Sequence, residues 1–349
     1  MISFPPNRRP TFEKGCETMR ELNPGMLKEL GLTARKISRE FGAYLCETDQ
    51  GWYLVKDTDA SEREMRFAHL IKEHLRVRGM EETDQYLLIE EKPWIRWNRE
   101  TITIRKWLHG EEADLEQAEG RCKLGKALAW LHTHCTGLEL PEDFNVFPHY
   151  QDWPGRMERQ MRRIRGMGKT IRRRGRLEEF DLLFLKALRA YEADGKEAIA
   201  GMENGCMERI SKKAQEQNAF AYGFFSNHCV LFSGQRMLIH DFEGAQLASP
   251  VLDLARLLEK TLRKNEWKAT CGQEILDAYE SVKELERDEK QVLYYYLLYP
   301  GRAWDLAGEG YERRSQWIPS IYHSKLEQFI ERLEDRKECL RTLQKRMEV

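Results

Sequence analysis

The stretch from Ala221 to Asp253 constrains the fold more than any other part of the sequence. Two short apolar runs, Val230–Phe232 and Met237–His240, flank a tight turn at Ser233-Gly234-Gln235. Apolar, β-prone runs on either side of a glycine-containing turn are typical of a β-hairpin. The second run ends directly at Asp241-Phe242-Glu243. The stretch therefore predicts a loop, a hairpin and an acidic turn, in that order.

This order is that of a kinase-type phosphotransfer centre, in which a catalytic loop H-x-D-x-x-x-x-N and a hairpin precede D-F-G. In that frame Tyr222 takes the His place, Phe224 the catalytic Asp place and Cys229 the metal-binding Asn place. Phenylalanine has no lone pair to accept the proton of an attacking hydroxyl. No catalytic residue is therefore expected in this loop.

The acidic turn retains candidate metal ligands. Asp241 stands where a kinase acid binds magnesium, and Glu243 offers a second oxygen ligand two residues on. The thiol of Cys229 is a poor magnesium ligand, although Asn227 and His228 are close enough in sequence to replace it in part.

Two further features of this stretch have predicted structural roles. Tyr222, Phe224 and Phe225 are expected to pack together as an aromatic cluster. Asp253 opens a helix after Pro250, and we expect its carboxylate to hold the loop backbone by hydrogen bonds.

The pattern of the chain changes near residue 108. Before it, strands alternate with one capped helix, and from 114 onward the sequence is mostly helical. The predicted early elements are strands Ile37–Cys46 and Gly51–Lys56, helix Ala60–Arg78, and strands Tyr86–Glu90 and Thr101–Trp107; Tyr322–Met347 is predicted as one late helix. We expect an α+β, bilobal protein kinase-like fold, with a loose N-terminal tail at 1–23, a β-rich lobe at 24–107, a hinge at 108–113 and a helical lobe at 114–349.

The small lobe carries the candidate nucleotide-binding remnant. Lys56 ends a strand and precedes an acid-bearing helix, as does the kinase lysine that holds phosphates and pairs with a Glu. Glu64 is the expected partner, and Trp107 and Leu108 lie where the sheet meets the hinge. Residues 38–45 contain one glycine instead of G-x-G-x-x-G, which indicates poor wrapping of phosphates.

Composition excludes several other classes. Net charge is −1, so nothing draws the whole chain to nucleic acid. The eight cysteines form no C-x-x-C pair, which argues against a zinc site or a disulfide framework and favours a reduced, cytosolic protein. The longest apolar run, Val292–Tyr299, is too short to span a bilayer, and the N-terminus has no signal-peptide pattern.

One segment, 156–176, is strongly basic. It predicts either a solvated helix face balanced by nearby acids or a surface for nucleic acid, an anionic membrane or an acidic protein. It contains no aromatic residue for base stacking. Its cations are Arg156, Arg159, Arg162, Arg163, Arg165, Lys169, Arg172, Arg173, Arg174 and Arg176.

The motifs together resemble the CotS family of kinase-fold spore coat proteins, relatives of aminoglycoside phosphotransferases and choline kinases. Four segments carry the resemblance, in the family's order: ITIRKWLHGEEAD at 102–114, the loop at 222–231, HDFEGAQLASPVLDLA at 240–255 and LYPGRAWDLAGEGYERRSQW at 298–317. The family's loop resembles H-H-D-F-A-H-H-N-V-L, so this chain departs from it at Phe224 and Cys229. The resemblance implies synthesis in the cytoplasm, a place in the endospore coat and other coat proteins as partners.

Three functions stay open at this point. The first is a catalytically impaired, pseudokinase-like assembly or binding component of the coat, with no cofactor. The second is an active small-molecule phosphotransferase that uses ATP and magnesium through Lys56, Asp241 and Glu243. The third is a polyanion-binding module that uses the basic segment.

Overall fold

The computed structural model describes residue 22 and residues 24–40, 42–142, 144, 153–313 and 320–349. The predicted loose tail therefore lies almost wholly outside the described residues. The fold is α+β and bilobal, as the sequence predicts, with a small antiparallel sheet followed by a mostly helical lobe.

The small lobe is a five-stranded antiparallel sheet with two helices. The strands lie in the order β1-β2-β3-β5-β4. Their bounds are Ala34–Glu40 for β1, Ala43–Thr48 for β2, Gly51–Asp57 for β3, Ile95–Trp97 for β4 and Glu100–Lys106 for β5; the helices are α1, Pro24–Glu29, and α2, Glu62–Val77.

Two predicted strands of this lobe need correction. The run Ile37–Cys46 is divided between β1 and β2, because the chain reverses next to Gly42, whose φ of 76° suits glycine. The predicted strand Tyr86–Glu90 is wrong, since its residues make only isolated bridges, from Tyr86 to Arg105 and from Ile89 to Lys92.

A second, three-stranded sheet joins the hinge to the acidic turn. Strand β6, Glu111–Glu112, pairs with β7, Val230–Ser233, which pairs in turn with β8, Arg236–Ile239. The predicted hairpin is therefore confirmed. A short 3₁₀ turn, Asn227–Cys229, precedes it and another, Phe242–Gly244, follows Asp241.

Helices make up the rest of the large lobe. They are α3 Ala118–Thr133, α4 Trp153–Arg172, α5 Glu179–Glu203, α6 Cys206–Glu216, α7 Val251–Lys264, α8 Ala269–Glu280, α9 Arg287–Leu298, α10 Gly301–Arg313, α11 Ser320–Glu331 and α12 Leu333–Met347. The single late helix predicted at Tyr322–Met347 is two, with Arg332 between them. Within the described ranges, no helix is long and apolar enough to cross a bilayer.

Helix α2 fixes the lobes against each other. Its buried residues Phe67, Ala68, Ile71 and Leu75 belong to the core cluster of the large lobe, whereas the sheet has a separate cluster that includes Val55. Burying an apolar stripe of this size stabilises the contact by several kcal/mol, at about 1.5–3 kcal/mol for each large side chain. The same packing carries the polar face of α2 toward the acidic turn.

Candidate functional site

Three carboxylates and three cations meet between the lobes. Asp84 comes from the connection after α2, and Asp241 and Glu243 come from the acidic turn. The cations are Lys56 on β3, Lys72 on α2 and Arg105 on β5. The structure therefore brings the predicted residues Lys56, Asp241 and Glu243 together, and it adds three that the sequence did not single out.

Arg105 lies at the centre of this cluster. Its side chain is 2% exposed, and Nη1 is 2.8 Å from Oδ1 of Asp241 and 3.0 Å from Oδ2 of Asp84. Nη2 is 2.7 Å from Oε1 of Glu243. The guanidinium thus bridges the two carboxylates that the sequence predicts as metal ligands.

Lys72 forms a second buried ion pair with Asp84, the acid that also binds Arg105. Nζ of Lys72 is 2.7 Å from Oδ1 of Asp84, and both side chains are fully buried. The same Nζ lies 3.7 Å from the centre of the Tyr86 ring, and the Tyr86 hydroxyl donates to Glu243. Burial lowers the pKa of Lys72, and the charge of Asp84 partly offsets that effect.

The predicted pairing of Lys56 with Glu64 is wrong. The Glu64 carboxylate accepts from the backbone N–H and hydroxyl of Ser61, at 2.7 and 2.8 Å, and so completes a capping box at the start of α2. Nζ of Lys56 instead lies 3.9 Å from Oδ1 of Asp241. The α2 residue that reaches the site is Lys72, whose charge is opposite to that expected.

Asp241 is held as an anion in a strained conformation. Its φ of 64° and ψ of 54° lie in the left-handed region, which is costly for a residue with a Cβ. Burial alone would raise the pKa of its carboxyl. The ring of His240, whose Nδ1 lies 3.2 Å from Oδ2, and the charges of Lys56 and Arg105 outweigh burial, so that pKa lies well below its ordinary value of 3.8.

Glu243 is ionised for a similar reason. Burial raises the pKa of its carboxyl, but the charges of Arg105 and Lys72 lower it below the ordinary value of 4.5. Arg105 responds in the opposite sense: burial lowers its pKa, but the charge of Glu243 together with Tyr86, Asp84 and Asp241 raises it well above the ordinary value of 12.5. The pairs are thus charged at neutral pH.

The donors do not fit a magnesium ion. Magnesium requires open, near-octahedral oxygen ligands, and Arg105 already occupies an oxygen of both Asp241 and Glu243. Burial raises the pKa of the Cys229 thiol to about 12, so it stays protonated. Among the described residues, no group of three or more His, Cys, Asp or Glu side chains has the arrangement of a metal site.

The two side chains next to Cys229 have partners outside the acidic turn. Oδ1 of Asn227 accepts from Lys260 at 2.8 Å, and Nδ1 of His228 lies 2.6 Å from Oε2 of Glu112. Both side chains are engaged with partners on α7 and β6 instead of with the acidic turn. Partial substitution for Cys229 by Asn227 and His228 would require both side chains to leave these partners.

The backbone of the loop is held by hydrogen bonds to buried side chains. The Asp253 carboxylate, fully buried, accepts from the backbone N–H groups of Tyr222 and Gly223 at 2.6 and 2.8 Å. The Tyr222 hydroxyl donates to the carbonyls of His240 and Asp241. These bonds tie the loop, helix α7 and the acidic turn into one unit.

Phe224 does not join the predicted aromatic cluster. Tyr222 and Phe225 do pack edge to face, with ring centres 5.7 Å apart. Phe224 is 41% exposed, and its ring centre lies 5.3 Å from the guanidinium carbon of Arg256, which also lies 5.6 Å from the Trp153 ring centre. An apolar ring beside a fixed cation therefore stands where a kinase has its proton acceptor.

Trp107 closes the opposite side of the site. Its ring centre is 4.7 Å from that of His240, and Leu108 beside it is buried. A nucleotide base stacked between two rings needs about twice the van der Waals spacing, roughly 7 Å. The contact between Trp107 and His240 leaves no such space between these two rings.

Comparison with known proteins agrees with this architecture. The family model described as "Spore coat putative kinase YutH" matches residues 26–343, which is most of the chain.

Solved structures show the same fold at low sequence identity. An aminoglycoside phosphotransferase from Alicyclobacillus acidocaldarius is 19% identical, with a TM-score of 0.82 over 96% of this chain and 99% of that one. An AMP-bound spectinomycin phosphotransferase is 16% identical, with a TM-score of 0.57 over 90% and 96% of the two chains. A microcompartment-associated aminopropanol kinase is 14% identical, with a TM-score of 0.54 over 88% and 90%.

Removing Arg105 should destabilise the protein strongly. In Arg105→Met, three carboxylates lose a buried counter-charge, and we expect a loss of about 3–5 kcal/mol in the free energy of unfolding. Lys56→Met is the matched control, because that pair is long and half exposed, and we expect it to cost at most about 1 kcal/mol. Urea unfolding followed by circular dichroism measures both; equal losses would contradict the central role of Arg105.

The lowered carboxyl pKa values predict an acid-sensitive contribution. Folded Asp241 and Glu243 bind protons less readily than in the unfolded chain, so their stabilisation is present above about pH 4.5 and is lost as the pH falls further. The stability gap between wild type and Asp241→Asn should therefore narrow from pH 6 to about pH 3.5. Glu338→Gln is an exposed control, and its free energy of unfolding should stay close to that of the wild type over the same pH range. A constant Asp241→Asn gap in urea titrations would count against this assignment.

Proposed function

Because this chain belongs to the spore coat YutH family, we propose that it is a catalytically impaired kinase-fold protein that serves as an assembly or binding component of the spore coat. The observation that carries the proposal is the guanidinium of Arg105, which bridges Asp241 and Glu243 at 2.8 and 2.7 Å. An internal cation takes the coordination that a magnesium ion would need.

The charge balance of the cluster supports the same conclusion. Lys56, Lys72 and Arg105 face Asp84, Asp241 and Glu243, so the cations and carboxylates balance. A working centre needs surplus negative charge for the metal and surplus positive charge for the phosphates. Here each charge is already compensated within the protein.

Two further features remove other parts of the reaction. Phe224 cannot accept a proton from a substrate hydroxyl. The β1–β2 turn has a single glycine, Gly42, where close backbone approach to phosphates calls for several. The chemistry is thus impaired at the base, at the metal and at the phosphate loop.

An active phosphotransferase is the competing function. It is favoured by the exposure of the Asp241 side chain, 41%, with Lys56 beside it. The two functions differ in whether magnesium and ATP bind at all, because a ligand that binds only the folded state must stabilise it.

We expect ATP with magnesium to leave the melting temperature of the wild type unchanged. A ligand at about 100 times its Kd adds roughly 2.7 kcal/mol, which a thermal-shift assay detects easily. A solved aminoglycoside phosphotransferase serves as the positive control. The paired repair Phe224→Asp with Cys229→Asn should also give no shift, since Arg105 still holds both acids.

Adding Arg105→Met to that repaired chain should make its melting temperature rise with magnesium, provided circular dichroism shows that it folds. Magnesium-dependent turnover of small hydroxyl substrates by the wild type, abolished by Asp241→Ala, would refute the proposal. A shift in the paired repair alone would show that Arg105 is not the block.

The coat assignment has its own test. A fluorescent fusion expressed during sporulation should appear in the extracted coat fraction, and Asp241→Ala should distribute identically because the proposed role needs no phosphotransfer. A destabilised variant, Asp253→Ala, controls for loss of the folded protein, since it leaves two buried backbone N–H groups unpaired. Loss of coat localisation in Asp241→Ala at normal protein level would contradict this role.

A further inference from the structure

Helices α4 and α5 pack against each other as a hairpin in the large lobe. The first residue of α4, Trp153, shares the guanidinium of Arg256 with Phe224, and α4 is 20 residues long, so its opposite end lies about 30 Å away along the helix. The inner face of α4 is fixed by the buried residues Met157, Met161, Ile164 and Ile171. The basic residues of the segment therefore point outward or to the end of the hairpin, as an amphipathic helix requires.

Seven of the ten cations of this segment form two groups with different surroundings. Three make ion pairs with acids on other helices of the large lobe: Arg163 with Glu312 at 2.6 Å, Arg165 with Glu192 at 2.9 Å and Arg174 with Asp181 at 2.7 Å. For them, the prediction of a helix face balanced by acids is confirmed.

The second group lies at the end of the hairpin. Lys169, Arg172, Arg173 and Arg176 are all exposed, and in the part of the chain that the structure describes none has a carboxylate within 4.0 Å. Lys169 and Arg172 also favour the C-terminus of α4 electrostatically. Arg173 and Arg176 lie beyond that helix, so the helix dipole does not account for them.

Two leucines are exposed beside these cations. Leu177 is 37% exposed and Leu182 is 57% exposed, although each would gain free energy by leaving water. Glu178 and Glu179 lie between them; Glu178 caps α5 by accepting from the backbone N–H of Asp181. The basic tip, defined as Lys169, Arg172, Arg173, Arg176, Leu177 and Leu182, therefore combines excess positive charge with apolar side chains.

We propose that the basic tip docks on an anionic lipid surface. Arginine and lysine are attracted to acidic headgroups, and the leucines enter the boundary between headgroups and acyl chains. A nucleic acid would use the cations but gain nothing from the leucines, and the tip has no aromatic side chain for base stacking. This surface is separate from the acidic cleft and does not depend on whether the cleft is active.

Vesicle co-sedimentation tests the proposal. The full chain should sediment with vesicles of phosphatidylglycerol and phosphatidylcholine, but not with phosphatidylcholine alone, and added salt should weaken binding because it screens the charges. Arg172→Gln, Arg173→Gln and Arg176→Gln together should lower partitioning on the order of 100-fold, at about fivefold for each cation. Leu177→Ser with Leu182→Ser should lower it at least tenfold without changing the charge.

A matched control neutralises three exposed cations elsewhere, Lys212, Lys337 and Arg341, each of which sits in a surface ion pair. This control should bind anionic vesicles as the wild type does. Equal loss in the control, binding to neutral vesicles, or binding that survives the leucine changes would overturn the proposal. Salt-sensitive binding of duplex DNA or polyphosphate at equal affinity, unaffected by the leucine changes, would assign the tip to soluble polyanions instead.

Discussion

The buried guanidinium of Arg105 is the polar interaction that, together with the apolar packing of α2, sets how the two lobes lie against each other. Arg105 lies on β5 of the small-lobe sheet, and its guanidinium forms ion pairs with Asp241 and Glu243 of the large lobe. A buried charge is tolerated only when ion pairs and hydrogen bonds compensate for its lost hydration. The sheet and the acidic turn therefore have to keep their relative position, because a small displacement would leave the buried charges of Arg105 and Asp84 uncompensated.

The same interaction helps to explain why Asp241 keeps a strained backbone conformation. Asp241 keeps a left-handed backbone, although a residue with a Cβ pays for that conformation. Arg105 holds one carboxylate oxygen and His240 lies 3.2 Å from the other. The Tyr222 hydroxyl binds the carbonyl on the same turn. Side chains of the protein itself therefore hold this conformation.

Sequence patterns predicted what is local in the chain. The hairpin and the order of elements follow from short apolar runs and turn residues. The Arg105 contacts were not predicted, because its partners lie 136 residues away at Asp241 and 21 away at Asp84. The one available signal was an arginine within the β-prone run 101–107, which alternation cannot distinguish from a solvent-facing residue.

Glu64 shows why a correct local pattern gave a wrong pairing. A Ser followed three residues later by a Glu is both a capping box and a helix-borne acid near a strand-end lysine. The cap forms within one turn of a single helix, so it needs no ordering of distant chain, whereas an ion pair to Lys56 must order two separate elements. The carboxylate of Glu64 therefore bonds to Ser61 within the cap, and the residue of α2 that contacts the site is Lys72.

On the proposed function, recognition takes place at the surface of the protein instead of in its cleft. Hydrogen bonds of Asp253 and Tyr222 hold the loop, the acidic turn and helix α7 together. The charges in the cleft are already paired with one another, so a charged ligand would have to displace one of them. Recognition then depends on groups whose charge is not already used within the fold. At the end of the α4–α5 hairpin, four exposed cations and two exposed leucines meet that condition, whereas the paired arginines of the same helix do not.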